Sequence, residues 1–128
     1  MLRIIFRHIT GSRATEVDVI PLGAHRELIL GRASSAAVRF DPTMESFVGR
    51  YHARIAASDE EPTRLMLADL KSRNGTFVNG ARIECSVVLR AGDVVRLGEG
   101  GPEIEVQMER TIELPMNSSS VKAPMIAA

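Results

Sequence analysis

Short runs of alternating apolar and polar residues, about ten residues apart, limit the fold of this chain more than any other feature. Clusters of Gly, Pro, Asp, Asn and Ser separate them, such as TGSRA, DPTMES and GEGGP. Alternation with period two, interrupted regularly by turn residues, favours an all-β sandwich or barrel. No window of eleven or more residues carries a helical period with caps. The runs read RIIFRHI, EVDVI, ELIL, AVRF, HARIAA, RLMLADL, TFVN, VVRLG and EIEVQM.

The composition fits one domain with an aliphatic core. The 128 residues include 45% hydrophobic ones, but only four Phe, one Tyr and no Trp. Ile, Val, Leu, Met and Ala must therefore fill the interior. We expect the folded domain to span residues 1–108. Residues 109–128 mix Ser, Pro and Ala without a period, so we expect a flexible C-terminal tail or linker there.

Charge and cysteine content argue against several functions. The formal net charge is zero, so no bulk field attracts nucleic acid or an anionic membrane, and the few aromatic side chains leave little for base stacking. The single cysteine, Cys85, excludes an internal disulfide and a multi-cysteine zinc site, and we expect neither a metal nor a cofactor. No stretch is apolar and long enough to span a bilayer, so we expect a cytoplasmic domain.

Residues 72–80 read SRNGTFVNG and contain two Asn-Gly pairs five residues apart. Asn-Gly is the strongest short-range signal for a tight β-hairpin, because both residues tolerate positive φ. Five residues is too short a distance for two ordinary hairpins in succession. If Asn79-Gly80 turns a hairpin, Asn74-Gly75 needs another role.

Four stretches of the chain, in this order, together resemble the forkhead-associated (FHA) domain. The resemblance covers roughly residues 25–108. It implies an FHA-like β-sandwich of about 10–11 short, mostly antiparallel strands that binds phosphothreonine peptides through loops at one end. The stretches are LGR at 30–32, VGRYHARI at 48–55, DLKSRNGTFVNG at 69–80 and LRAGDVVRLG at 89–98.

Phosphate recognition gives three arginines a specific expected role. A phosphate carries nearly two negative charges and three strong acceptor oxygens, so a near-neutral sandwich must bring arginines together from separate loops. Arg32, Arg50 and Arg73 each stand beside a Gly or Asn, where a loop can present a guanidinium. The resemblance makes Arg32 the arginine that contacts the phosphate, with Arg50 and Arg73 lining the same pocket.

The resemblance also divides the remaining motif residues between ligand and fold. Asn74 is expected to hydrogen-bond the backbone of the phosphopeptide, while Phe47 favours an apolar third residue after the phosphothreonine. The first Asn-Gly then belongs to the recognition loop, and the second turns the following hairpin. The residues expected to be structural are Gly31, His52, Gly75, Asn79 and Gly80, with His52 bracing the loops from beneath.

Gly49 is expected at the peptide-binding surface with Asn74 and Phe47, but it departs from the family pattern, which usually has a serine whose hydroxyl donates to the phosphate. A hydrogen bond to a charged group contributes about 1.5–3 kcal/mol. Arg50, or a hydroxyl from Ser34, Ser35 or Ser46, would have to replace it. The alternative is an FHA-like scaffold that docks or oligomerises without phosphate dependence.

We therefore expect a phosphothreonine-dependent protein-interaction module in signal transduction. Its expected partner is a phosphothreonine-containing protein that is a substrate of a Ser/Thr kinase. No enzyme activity is expected, since no motif positions a nucleophile, an acid pair or a metal cluster. Thr111 is followed three residues later by Leu114, which matches the preference expected from Phe47. The chain is accordingly expected to be a monomer or a phosphorylation-dependent dimer.

Overall fold

The computed structural model describes residues 2–22, 26–58 and 63–110. In these ranges the regular elements are eleven β-strands without a helix. No helix able to cross a membrane occurs there. The strands are β1 (Leu2–His8), β2 (Val17–Leu22), β3 (Glu27–Gly31), β4 (Val38–Arg39), β5 (Ala53–Ala57), β6 (Leu65–Asp69), β7 (Thr76–Val78), β8 (Ala81–Arg82), β9 (Val87–Leu89), β10 (Val94–Leu97) and β11 (Glu103–Arg110).

The strands form two sheets, which confirms the predicted all-β sandwich. One has the order β2-β1-β11-β10-β7-β8, and the other has the order β4-β3-β5-β6-β9. Neighbouring strands are antiparallel except β3 and β4, which are parallel. Each of the nine alternating runs contains a strand. The runs did not include β8 and β9, because strands of two and three residues are too short to show an alternation.

Aliphatic side chains from both sheets fill the space between them, as the composition predicted. Inward-facing residues alternate with exposed or half-buried ones along most of the strands, for example Ile4 and Phe6 in β1 and Ile104 and Val106 in β11. Each buried side chain of this size contributes about 1.5–3 kcal/mol through the area it removes from water. The core therefore provides a rigid base for the loops.

Five connections meet at one end of the sandwich, which we call the loop end. The register places the end of β3 beside the start of β5, and the start of β5 beside the end of β6. In the other sheet, the start of β7 lies beside the end of β10. The end of β1 lies beside the start of β11 at the same end. The connections at the loop end therefore include residues 9–16, 32–37, 40–52, 70–75 and 98–102.

Strand β11 runs from the loop end to the opposite end of the sandwich. It is antiparallel to β10, and its last residue, Arg110, lies opposite Leu2. The strand therefore continues two residues beyond the predicted domain end at Met108. Residues 111–128, most of the predicted tail, lie outside the described residues.

The two Asn-Gly pairs have different positions in the fold. Asn79 and Gly80 both have positive φ, 50° and 88°, and form the two-residue turn between β7 and β8. The Asn79 side chain accepts a hydrogen bond from the Val94 N–H at 2.9 Å and donates to Asp93 at 3.0 Å. The second pair therefore turns a hairpin and joins it to β10, while Asn74-Gly75 lies at the loop end.

Candidate functional site

A close approach of two backbones at Gly31 forms the base of the site. The N–H groups of Arg32 and Ala33 donate to the carbonyls of Gly49 and Arg50 at 3.0 and 3.1 Å. A Cβ on Gly31 would lie 2.1 Å from the Arg50 oxygen, so no other residue fits there without moving the loop. This contact places Arg32 next to the loop that carries Gly49.

The buried imidazole of His52 joins two loops of the site. Its Nδ1 accepts a hydrogen bond from the Gly49 N–H at 2.9 Å, so its Nε2 carries the proton and donates to the Gly75 carbonyl at 2.7 Å. Burial lowers the pKa of His52, although the Gly75 hydrogen bond and the charge of Asp69 oppose this effect. His52 is therefore a neutral brace, with both ring nitrogens occupied.

Asn74 holds the recognition loop against the loop that contains Phe47. Its side-chain amide donates to the Phe47 carbonyl at 3.0 Å, and no described residue bonds its side-chain oxygen. Gly98 packs beneath both residues: a Cβ there would lie 3.2 Å from the Phe47 oxygen and 3.3 Å from Asn74 Cβ. Sequence reasoning missed Gly98, although a glycine directly after β10 marks a possible close contact.

A hydrogen-bonded turn shapes the loop that presents Arg73. The Asp69 carboxylate accepts bonds from the Ser72 N–H at 3.0 Å and the Thr76 hydroxyl at 2.7 Å, and the Ser72 hydroxyl accepts one from Gly75 N–H at 2.9 Å. Burial alone would raise the pKa of Asp69, but the hydrogen bonds from Ser72 and Thr76 outweigh burial and lower it. The sequence marks KSRNG as a turn, but the hydrogen bonds of this turn to Asp69 and Thr76 were not predicted.

Five of the six residues predicted to contact the ligand line one cavity of about 310 Å³, which we call the recognition pocket. They come from three separate connections of the loop end. The cavity therefore has cationic, amide and apolar groups on its wall. Its lining consists of Arg32, Ser46, Phe47, Val48, Gly49, Arg73 and Asn74.

Arg50, the sixth predicted residue, lines a neighbouring cavity of about 190 Å³, which we call the arginine pocket. Arg32 forms part of both walls, so the two cavities adjoin. Arg39 also lines the arginine pocket, although sequence reasoning did not include it among the site residues. The lining consists of Arg32, Ala33, Ser34, Arg39, Pro42 and Arg50.

The guanidinium of Arg32 is fixed by the loop over which it lies. Its Nε donates to the Val48 carbonyl, and one terminal nitrogen donates to the Pro42 carbonyl at 3.0 Å. A guanidinium has five N–H donors, so three remain for an anion. Arg32 therefore faces both cavities with a fixed orientation.

The space around Gly49 admits a side chain. A Cβ there would meet nothing closer than His52 Nδ1 at 3.6 Å, which is ordinary contact, and Gly49 does not have positive φ. Of the hydroxyls considered as replacements, Ser46 lines the recognition pocket and Ser34 lines the arginine pocket. Ser35 lines neither cavity. Within residues 2–22, 26–58 and 63–110, no group of acids, histidines and cysteine forms a metal site.

Comparison with known proteins identifies the family. A model of the FHA domain matches residues 28–98, more than half of the chain. One similar solved structure, from an analysis of phosphothreonine-dependent FHA domain interactions, is 32% identical and has a TM-score of 0.66. The alignment covers 85% of this chain and 99% of that one. Among curated protein sequences, none matches the chain significantly.

Two further structures are complexes. The FHA domain of FhaA, bound to the intracellular domain of Rv3910, is 30% identical with a TM-score of 0.64, over 81% of this chain and 99% of that one. Mycobacterium tuberculosis EmbR, in complex with a low-affinity phosphopeptide, is 22% identical with a TM-score of 0.64. That alignment covers 87% of this chain and 26% of EmbR, and at this identity it shows the fold alone.

The lowered pKa of His52 predicts a pH dependence of stability. Its folded-state pKa lies below the ordinary value of 6.5, so the unfolded chain binds the proton more readily. The stabilisation from His52 is therefore fully present above its unfolded pKa and decreases as pH falls below about 6.5. His52→Gln cannot take up this proton. The difference in unfolding free energy between the two proteins, measured with urea, should shrink from pH 7.5 to pH 5. A difference in unfolding free energy that stays constant across this pH range would contradict the lowered pKa of His52.

Proposed function

The chain belongs to the FHA family, and on that premise we propose that it is a phosphothreonine-dependent protein-interaction module in cytoplasmic signal transduction. Its partner is a phosphothreonine-containing protein that a Ser/Thr kinase phosphorylates, and not nucleic acid or a membrane. One observation carries the proposal. Arg32, on one connection of the loop end, and Arg73 and Asn74, on another, line the same cavity.

The groups in the recognition pocket match the chemistry of a phosphothreonine. The three remaining N–H donors of Arg32 and the exposed guanidinium of Arg73 face an anion with almost two charges. The free side-chain oxygen of Asn74 accepts a peptide N–H from the ligand. Phe47 is 55% exposed at the rim, where it favours an apolar third residue after the phosphothreonine. Phosphothreonine is preferred to phosphoserine.

The state of His52 supports binding rather than catalysis. A general base must have a ring nitrogen free to accept a proton from a substrate. In His52 the Gly49 N–H occupies one nitrogen, and the other already carries a proton donated to Gly75. The imidazole is also fully buried. Its role in the proposal is to hold two loops at the distance that the ligand requires.

Removing an arginine of the pocket tests the proposal. Arg73 is exposed, and its side chain bonds no described residue, so Arg73→Ala should abolish measurable binding of a phosphothreonine peptide with little loss of stability. Arg32→Ala should also abolish binding. The loop position of Arg32 alone predicts little loss of stability for this variant, but its two carbonyl hydrogen bonds predict a loss of about 1–3 kcal/mol.

The measurement is calorimetric titration with a phosphothreonine peptide and its unphosphorylated form. We expect micromolar affinity for the first and none for the second. Arg90→Ala is the matched control, since Arg90 is exposed at the turn before β10, away from the loop end. Equal binding of both peptides would favour the phosphate-independent scaffold. Full affinity in Arg73→Ala and Arg32→Ala would reject the assignment of the pocket.

Gly49→Ser should tighten phosphopeptide binding by about tenfold, because the backbone accepts a Cβ there and the new hydroxyl adds a donor to a charged group. Gly49→Ala is the control, since it adds the same Cβ without the hydroxyl and should bind like the wild type. Titration of the three proteins with one peptide gives the comparison. Equal affinities for the serine and alanine variants would show that the hydroxyl does not reach the phosphate.

Phosphorylation of Thr111 should produce a dimer. Thr111 lies outside the described residues, but it follows Arg110 directly. Strand β11 carries the chain about 23 Å from the loop end. A single peptide unit cannot span that distance back, so a second molecule must supply the pocket. Light scattering should give twice the monomer mass for the phosphorylated chain and the monomer mass for its Arg73→Ala form. A phosphorylated monomer whose pocket still binds added phosphopeptide would contradict this.

A further inference from the structure

We propose that the arginine pocket is a second anion subsite, which binds a phosphate or carboxylate two or three residues before the phosphothreonine of the same ligand. The proposal rests on the function proposed above and assigns to Arg39 a role in specificity. It predicts that the preferred ligand carries two anionic side chains rather than one.

The first argument is the number of charges. Arg32, Arg39, Arg50 and Arg73 line the two adjoining cavities, and within the described part of the chain none of them forms an ion pair with a carboxylate. One phosphate supplies close to two negative charges. About two of the four positive charges then remain without a counter-charge, and three of the four arginines lie in the arginine pocket.

The second argument is that the backbone and the Nε atom of Arg39 are held in place. It ends the two-residue strand β4, which is paired with β3 so that Gly31 lies beside Arg39. Its Nε donates to the Arg32 carbonyl at 3.2 Å, and its own carbonyl accepts a bond from Arg13 at 3.0 Å. The terminal nitrogens of Arg39 bond no described residue. A guanidinium held in this way loses little side-chain entropy when it binds an anion.

The nearest acid is already engaged with the backbone. One oxygen of Asp41 accepts hydrogen bonds from the N–H groups of Thr43 and Met44, both at 2.8 Å. These bonds lower the pKa of Asp41, with a smaller contribution from the charge of Arg39. The negative charge of Asp41 therefore offsets part of the positive charge of Arg39, but the two side chains form no ion pair.

The neighbouring cavity of about 360 Å³ provides a comparison. It adjoins the arginine pocket through Arg39 and Pro42, and it also contains Arg13. Both terminal nitrogens of Arg13 bond Asp18 at 2.8 Å, and its Nε bonds Glu16 at 2.7 Å. Because this arginine is neutralised, the uncompensated charge is concentrated in the arginine pocket.

The position of the second anion follows from the shared wall. The two cavities share Arg32 as a wall, so their ligand groups lie close together, and two or three extended residues span about 7–10 Å. Phe47 lines the recognition pocket only, and it is proposed to contact the third residue after the phosphothreonine. The arginine pocket lies on the other side of Arg32, and therefore contacts residues before the phosphothreonine.

The experiment titrates three peptides that differ only before a common phosphothreonine. The first is neutral there, the second carries another phosphothreonine two or three residues earlier, and the third carries Glu at that position. The wild type should bind the second or third about fivefold to tenfold more tightly than the first. Arg39→Ala should lose this preference and keep its affinity for the first peptide within about twofold. Arg39→Gln, which keeps a neutral donor, should behave like Arg39→Ala.

The outcomes separate the two proposals. Arg90→Ala should keep the full preference, since its side chain is remote from both cavities. A preference for both doubly anionic peptides assigns general anion binding, and a preference for the second alone assigns phosphate binding. Equal affinity of the wild type for all three peptides, or an undiminished preference in the Arg39 variants, overturns the subsite and leaves the phosphothreonine function intact. If none of the three peptides binds, the proposed function fails and the subsite fails with it.

Discussion

The recognition pocket depends on one buried side chain, the neutral imidazole of His52. It bonds Gly49 in one loop and Gly75 in another; the first bond is partly buried and the second is buried. If the imidazole were lost or charged, the Gly49 N–H would lose its acceptor, at a cost of about 1–3 kcal/mol. His52 therefore sets the distance between the loop that carries Gly49 and the loop that carries Arg73 and Asn74.

The sandwich gives this brace a rigid base. Gly98 lies directly after β10, and its N–H bonds the Gly75 carbonyl at 2.8 Å while its Cα packs against Phe47 and Asn74. The loops of the pocket are thus bonded to the strand ends and to one another before any ligand arrives. Association must overcome the entropy lost when loops are ordered, and here most of that ordering has already taken place.

The sequence predicted the sandwich because alternation is local, and a run such as EIEVQM shows its buried face within six residues. The short strands β8 and β9 show no alternation, so the alternating runs did not include them, although the predicted hairpin turn at Asn79-Gly80 implied a strand after it. It identified Asn74 through the resemblance, but not its hydrogen bond to Phe47, which lies 27 residues away. The hydrogen bond from Arg32 to the Val48 carbonyl and the position of Arg39 in the arginine pocket both depend on how the loops fold. No short sequence pattern shows how they fold.

The zero net charge of the chain conceals an uneven arrangement of its charges. On the sheet that contains β1 and β11, acids and arginines are paired across strands, as in Arg3 with Glu109 and Arg7 with Glu105. At the loop end the described arginines that line the recognition pocket and the arginine pocket have no such partners. The paired charges cancel at a distance, whereas the field of an unpaired arginine extends over about 8 Å, the screening length at physiological salt. Net charge therefore describes the long-range field of this domain, and the pairing of individual charges describes its field close to the surface.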